Sequence, residues 1–218
     1  MEALILFFVL FFPGIYSIGL SGGAELAESI HFETARELGR ILSYTLPSLA
    51  LLWYIMSDKK GFSALKQEKL KKQDFFSFAV GLPGLIIIGL SISVLVTFIS
   101  LRQGMTPPPR VEAPLTVWGW SVMVFSCLGT GYLEESYFRY YLLTMLENQL
   151  PGEAASIFFS TVLFSLCHIY EGPWGVLNAA FAGLFLSAIF IRYRALHGIA
   201  WAHGAYNIFV YVMGNFVS

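Results

Sequence analysis

Apolar residues in this chain are gathered into long, nearly continuous runs separated by short polar stretches. They cover residues 3–20, 41–56, 75–101, 115–146 with interruptions, 154–169, 176–191 and 195–217. A helix needs about 20 predominantly apolar residues to cross a bilayer, so the pattern predicts an all-α, polytopic transmembrane bundle of about seven helices. Pro83 and Gly84 interrupt the third run, which helices in lipid tolerate because their neighbours re-satisfy the freed backbone groups. Pro107, Pro108 and Pro109 mark an outer loop, since successive prolines cannot continue a helix. Pro151 and Gly152 mark the turn between the fourth and fifth spans. The first run is preceded by Glu2 and by no basic residue, so it reads as a retained span, not a secretory signal.

Composition agrees with a membrane domain. Of 218 residues, 56% are hydrophobic, 17% aromatic and only 12% charged, and the mean hydropathy is +0.67. A soluble domain carries about 25% charged residues, and a water-exposed surface cannot be built from half that share. The net charge of -1 leaves no basic surface to neutralise phosphates, which excludes a nucleic-acid partner. Cys127 and Cys167 both lie in apolar runs and do not form a disulfide framework.

The few charges set an orientation. Lys59, Lys60, Lys66, Lys69, Lys71 and Lys72 all fall between the second and third spans, and the positive-inside rule makes that loop cytoplasmic. Counting spans then places the N-terminus inside and the segment holding Glu25, Glu28, Glu33 and Glu37 outside. Arg192 and Arg194 fall inside as well. The lysines set topology and meet anionic lipid headgroups. A compact chain of this kind is expected in a bacterial cytoplasmic membrane.

Ionisable residues within apolar runs cost several kcal/mol unless paired or hydrated in a protein cavity, and three places carry them. In the fourth run Glu134 and Glu135 are followed by Arg139. Glu135 and Arg139, four apart, share a helix face and pair, whereas Glu134 points about 100° away. Two acids to one base predicts a protonated carboxylate, or a water shared with polar groups of another helix. The competing reading ends the span near Leu133 and makes the motif an interfacial charge cluster. The fifth run carries His168, four residues after Phe164, and the last carries His203 and Asn207, again four apart and on one face. Glu134 and His168 are each seventeen residues from Pro151, so a helical hairpin puts them at one height. His203 and Asn207, nine and thirteen residues beyond Arg194, come out shallower by about 6 to 12 Å at 1.5 Å per residue.

These groups suit a water-activating site. Glu134 can take a proton from a water attacking a peptide carbonyl and hand it to the leaving amine, while His168, His203 and Asn207 hold the water and stabilise the oxyanion. Glu134, His168 and His203 equally match the ligands of a catalytic zinc. A non-catalytic immunity or scaffold protein, with the polar cluster serving only helix packing, is the alternative. A proton-coupled carrier would use the same groups as a relay, but such carriers are built from repeats and none is visible. A Cys167 nucleophile is disfavoured, because neighbours on a helix point about 100° apart. Asn178 is expected to bond across helices, and His197 to lie at the interface.

The order Glu134-Glu135-x-x-x-Arg139, Phe164-x-x-x-His168, His203-x-x-x-Asn207 resembles the CPBP family of intramembrane proteases, which includes the CAAX prenyl protease of eukaryotic endomembranes and many bacterial relatives. The resemblance covers residues 119–217. It implies a hydrolase, an endopeptidase cutting membrane-associated protein or peptide substrates. Glu134 is then the base, His168, His203 and Asn207 surround the water, and Glu135, Arg139 and Phe164 support them. Family members have been described both as metalloproteases and as glutamate-dependent. Asn207 partners water well and zinc poorly, so no cofactor is the preferred expectation and zinc on His168, His203 and Glu134 the alternative. The resemblance divides the chain into N-terminal helices with the basic loop (1–114) and a four-helix catalytic core (115–218). Relatives act in bacteriocin immunity and processing, and some trim C-terminal sorting signals; a prenylated substrate is not carried over.

Overall fold

Without water to satisfy the backbone, an apolar run buries its amides only by winding into a helix, and helix is what the runs become. A computed structural model describes residues 2–20, 29–57, 70–103 and 110–214. The Lys59–Lys69 part of the basic loop and Pro107 to Pro109 lie outside the described residues. In order, the chain forms α1 (Glu2–Leu20), strand β1 (Ser29–His31) and α2 (Thr34–Arg40), which passes through a π-helical segment (Ile41–Thr45) into α3 (Leu46–Ser57). Next come α4 (Lys72–Gln103), β2 (Arg110–Glu112) and α5 (Val117–Glu135), the last continuing through a second π-helical segment (Ser136–Leu143) into α6 (Thr144–Glu147). Then follow α7 (Glu153–Leu166), a short 3-10 turn (Ile169–Glu171), α8 (Gly172–Tyr193) and α9 (Leu196–Gly214). Among the described residues the helical segments join into seven rods, and the predicted all-α transmembrane bundle stands. β1 and β2 add one short parallel pairing, Ile30 opposite Val111, between segments read from sequence as outer loops.

α4 spans 32 residues without a break, Pro83 included, and only 17% of its most apolar stretch is buried. The core helix of a soluble protein would be covered; here Phe76, Ile87, Val94, Phe98 and Leu101 face outward, as lipid contact requires. α8, with the short turn before it, is also long and apolar enough to span. α1 packs Leu6, Phe7, Leu10 and Phe11 against Tyr137, Phe138 and Tyr141 of the second π segment, and the Tyr137 hydroxyl donates to the Ala3 carbonyl at 2.6 Å. Thr116 opens α5 by accepting from the Gly119 amide at 3.0 Å, a side-chain N-cap.

The bundle centres on α9, which lies against α4 on one side and α5 on the other. Glycines permit the contact with α5. A Cβ on Gly131 would fall 2.7 Å from the Ala200 carbonyl oxygen, and one on Gly204 would fall 2.9 Å from the Leu128 Cα. Neither neighbour is a flexible side chain that can move aside. Gly204→Ala should therefore lower stability by about 1–3 kcal/mol as α9 is pushed off α5. Gly39→Ala, with nothing within 4 Å of the added carbon, should be neutral or stabilising by contrast. Thermal melting of the two variants in detergent checks this.

Two sequence expectations change. The fifth span does not reach Ile169: α7 ends at Leu166 and His168 lies beyond it. There the Cys167 amide shares the Leu163 and Phe164 carbonyls, and the chain tightens into the 3-10 turn before Gly172 at φ +76°. The fourth span does not stop near Leu133 either. Glu135 and Arg139 are both fully buried, which removes the interfacial reading of that motif.

Candidate active site

α5 delivers Glu134 and Glu135 at its last two positions, and the π-helical winding that follows sets Arg139 almost directly behind Glu135. The Arg139 Nη1 donates to Glu135 Oε1 at 3.1 Å, and Nη2 reaches the Gly183 carbonyl at 3.5 Å. Its guanidinium lies over the Phe164 ring, 4.1 Å from the centroid, a cation–π contact that helps offset burial of the charge. Phe164, brought in by α7, therefore acts as a wall between Arg139 and the histidines, with ring centroids 4.7 Å from His168 and 6.0 Å from His203.

His203 of α9 meets both carboxylates. Its Nδ1 lies 2.8 Å from Glu135 Oε1; an ionised carboxylate only accepts, so Nδ1 carries the hydrogen. The Nε2 then faces Glu134 Oε2 across 3.7 Å. That oxygen is buried and receives no hydrogen bond from the described residues. Glu134 is thus faced by a polar group of another helix. His168 is oriented in the same fashion, its Nδ1 donating to the Phe164 carbonyl at 2.9 Å, with its ring stacked beside Tyr170. In both imidazoles Nδ1 is tied back, leaving Nε2 as the free nitrogen.

Glu134, His168, His203, Asn207 and Phe164 all line one cavity of about 490 Å³. The shallower placement expected of His203 and Asn207 is absent. Arg194, at the turn between α8 and α9, pairs with Glu147 at the end of α6 through contacts of 2.6 and 2.5 Å, so both counts start from one level. Between Glu147 and Glu134 lie eight π-helical residues, whose wider turns rise less per residue than the 1.5 Å of an α-helix. Glu135 and Arg139 stand directly behind this cavity, and Cys167 is buried. Asn178 donates to the Tyr206 hydroxyl at 3.4 Å across α8 and α9. His197 meets the Tyr132 hydroxyl at 3.1 Å.

Sequence reading missed the opposite wall. Glu37 and Arg40 of α2 line the same cavity with Ser126 and Thr130 of α5. Arg40 donates to Glu37 Oε2 at 2.9 Å, to Thr130 at 3.2 Å and to Ser126 at 2.5 Å. Ser126 in turn donates to Glu37 at 2.8 Å. One signal was present: Arg40 stands at the end of a span that the sequence reading directs outward, where an arginine runs against the positive-inside preference and calls for a partner.

Imidazole nitrogens and a carboxylate are zinc-ligand types, but among the described residues no three His, Cys, Asp or Glu side chains gather closely enough to hold one ion. No chemical step is routed through a metal. What the geometry offers is an unpartnered carboxylate oxygen and two oriented imidazole nitrogens opening on one polar, half-enclosed space.

No curated protein and no solved structure matches the chain. A family model does, the type II CAAX prenyl endopeptidase Rce1-like family, over residues 116–209. The matched region runs from the cap of α5 to the last turns of α9 and contains the Glu134, His168, His203 and Asn207 cluster. Over residues 116–209, less than half of the chain, the sequence is similar to the Rce1-like family of type II CAAX prenyl endopeptidases.

Proposed function

We propose that the protein is an intramembrane endopeptidase in which Glu134 activates water against a peptide bond of a membrane-associated protein or peptide. The observation that carries this is the 3.7 Å gap between Glu134 Oε2 and His203 Nε2. With His203 neutral and its hydrogen on Nδ1 both atoms are acceptors, and the gap is too wide for a direct hydrogen bond. A water giving one hydrogen to each fits that geometry and leaves a lone pair facing the cavity. Attack on a carbonyl carbon moves one water proton to Glu134 and forms the tetrahedral intermediate. His168 and Asn207 border the developing oxyanion, where an amide N–H or a charged imidazole stabilises it. Collapse breaks the C–N bond, and Glu134 passes its proton to the departing amine. Glu135 holds the His203 tautomer, and Arg139 holds Glu135.

The reading extends to location: a multi-pass protein of a bacterial cytoplasmic membrane, N-terminus inside, with the cavity between the inner turn at Pro151 and the outer turn at Gly172. Purified protein in liposomes should cleave a bilayer-tethered peptide without added metal. His168→Ala and Asn207→Ala should each lower kcat by about 10²-fold, the usual cost of one oxyanion donor. Stoichiometric zinc in active protein, by elemental analysis, would overturn the metal-free mechanism. Unchanged cleavage in both variants would overturn the site.

A further inference from the structure

Asp74, in the first turn of α4, is fully buried although it is a carboxylate at the end of a membrane helix. Its two oxygens serve two different helices. Oδ2 accepts the Lys71 amide at 2.8 Å and closes the start of α4 itself. Oδ1 crosses to α9 and accepts the Gly198 amide at 3.0 Å. Gly198 is the third residue of α9, and its N–H has no acceptor within that helix. A side chain from α4 thus caps α9, with its negative charge at the positive end of the α9 dipole. The approach is as close as backbones allow, since a Cβ on Gly198 would overlap the Asp74 carbonyl and lie 2.8 Å from the Asp74 Cα.

The position of this contact matters for the site. From Asp74 and Gly198 the two helices run outward side by side, meeting again at Gly81 and Ala202, where an added Cβ would be 2.9 Å from its neighbour. His203 is the next residue. Glycine contacts of that kind set how near α9 lies to its neighbours but are indifferent to small slides along its axis. A directional hydrogen bond at the first turn is not. A helix moves axially as a unit, so a slide at Gly198 is passed undiminished to His203, about 7.5 Å further on. A shift of about 1 Å would misalign the His203–Glu135 bond, now 2.8 Å, whose strength depends on its angle, and alter the gap to Glu134.

We propose that Asp74 is a positioning residue for hydrolysis: by capping α9 in trans it fixes the height at which His203 and Asn207 meet Glu134. The inference rests on the reading of His203 and Asn207 as groups that hold the attacking water.

The test uses the full chain in liposomes with the bilayer-tethered peptide, rates being expressed per folded molecule. Asp74→Ala should lower kcat about 10- to 100-fold, the order expected for a misplacement near 1 Å, with KM changed less than about threefold. Asp74→Asn keeps an oxygen for the Gly198 amide and should recover most of that loss. Gly198→Ala, which forces the same two backbones apart, should reproduce the kcat defect. The double variant Asp74→Ala with Gly198→Ala should be no worse than the poorer single one, because both break one contact. Normal kcat per folded molecule in Asp74→Ala would overturn the proposal, as would Asp74→Asn being as impaired as Asp74→Ala. If Asp74→Ala does not fold, Gly198→Ala is read alone, where a normal kcat per folded molecule overturns the proposal. Glu134→Gln run alongside separates the two readings. An inactive Glu134→Gln with a normal Asp74→Ala faults Asp74 alone, whereas an active Glu134→Gln with a slowed Asp74→Ala supports the positioning role and faults the assignment of Glu134.

Discussion

Glu134→Gln should lower kcat by about 10²- to 10⁴-fold, the range covered by a lost general base, while leaving KM and thermal stability nearly unchanged. The substitution keeps the shape of the side chain and an oxygen that can accept from water. It removes the ability to take a proton. Its structural cost is small because Glu134 forms no close ion pair: the bond to Arg139 belongs to Glu135, and the nearest basic atom to Glu134, His203 Nε2, stands 3.7 Å away. Paired measurements of initial rate on the bilayer-tethered peptide and of melting temperature separate the two effects. Turnover within about threefold of the unaltered protein would rule out Glu134 as the base. A loss of activity that follows a loss of folded protein would instead make the carboxylate structural.

The contrast between Glu134 and its neighbour shows what the sequence could and could not convey. Apolar run length translates directly into helices because lipid offers the backbone no other partner, and all seven rods are legible in the hydropathy pattern. The polar residues in those runs were legible as anomalies for the same reason, and the structure brings Glu134, His168, His203 and Asn207 to one cavity. Winding and cross-helix geometry were not legible. The π segment after Glu135 changes the rise and the rotation of everything that follows, and no residue in Ser136–Leu143 announces it. His168 reads as the interior of a helix by composition but sits in a turn, because Gly172 and Pro173 restart the chain only a few residues later. Glu37 reads as an outer-loop charge and Arg40 draws no reading at all, since a pairing eighty-six residues away between Arg40 and Ser126 leaves no local trace. Asp74 reads as one more charge at the end of a basic loop. Its role depends wholly on the amide of Gly198, which no side-chain pattern encodes.

Arg139→Ala should be the most damaging single change to the fold, at about 3–5 kcal/mol, the usual cost of leaving one member of a buried ion pair without its partner. Arg139 and Glu135 are both fully buried. The guanidinium is held by Glu135, by the Gly183 carbonyl and by the face of Phe164. Without it the Glu135 carboxylate keeps, among the described residues, only His203, and the Phe164 ring loses the cation against which it packs. Removing both charges together tests whether the loss is electrostatic. Glu135→Gln combined with Arg139→Met fills a similar volume without an uncompensated ion, and such replacements are often neutral or stabilising, so melting temperature should return most of the way. Activity should not return with it. A glutamine at 135 no longer offers His203 a charged acceptor for its Nδ1 hydrogen, so the imidazole loses the restraint that turns its Nε2 towards Glu134. Stability restored with turnover still depressed would place this buried pair in the catalytic apparatus through His203, whereas recovery of both together would reduce it to packing.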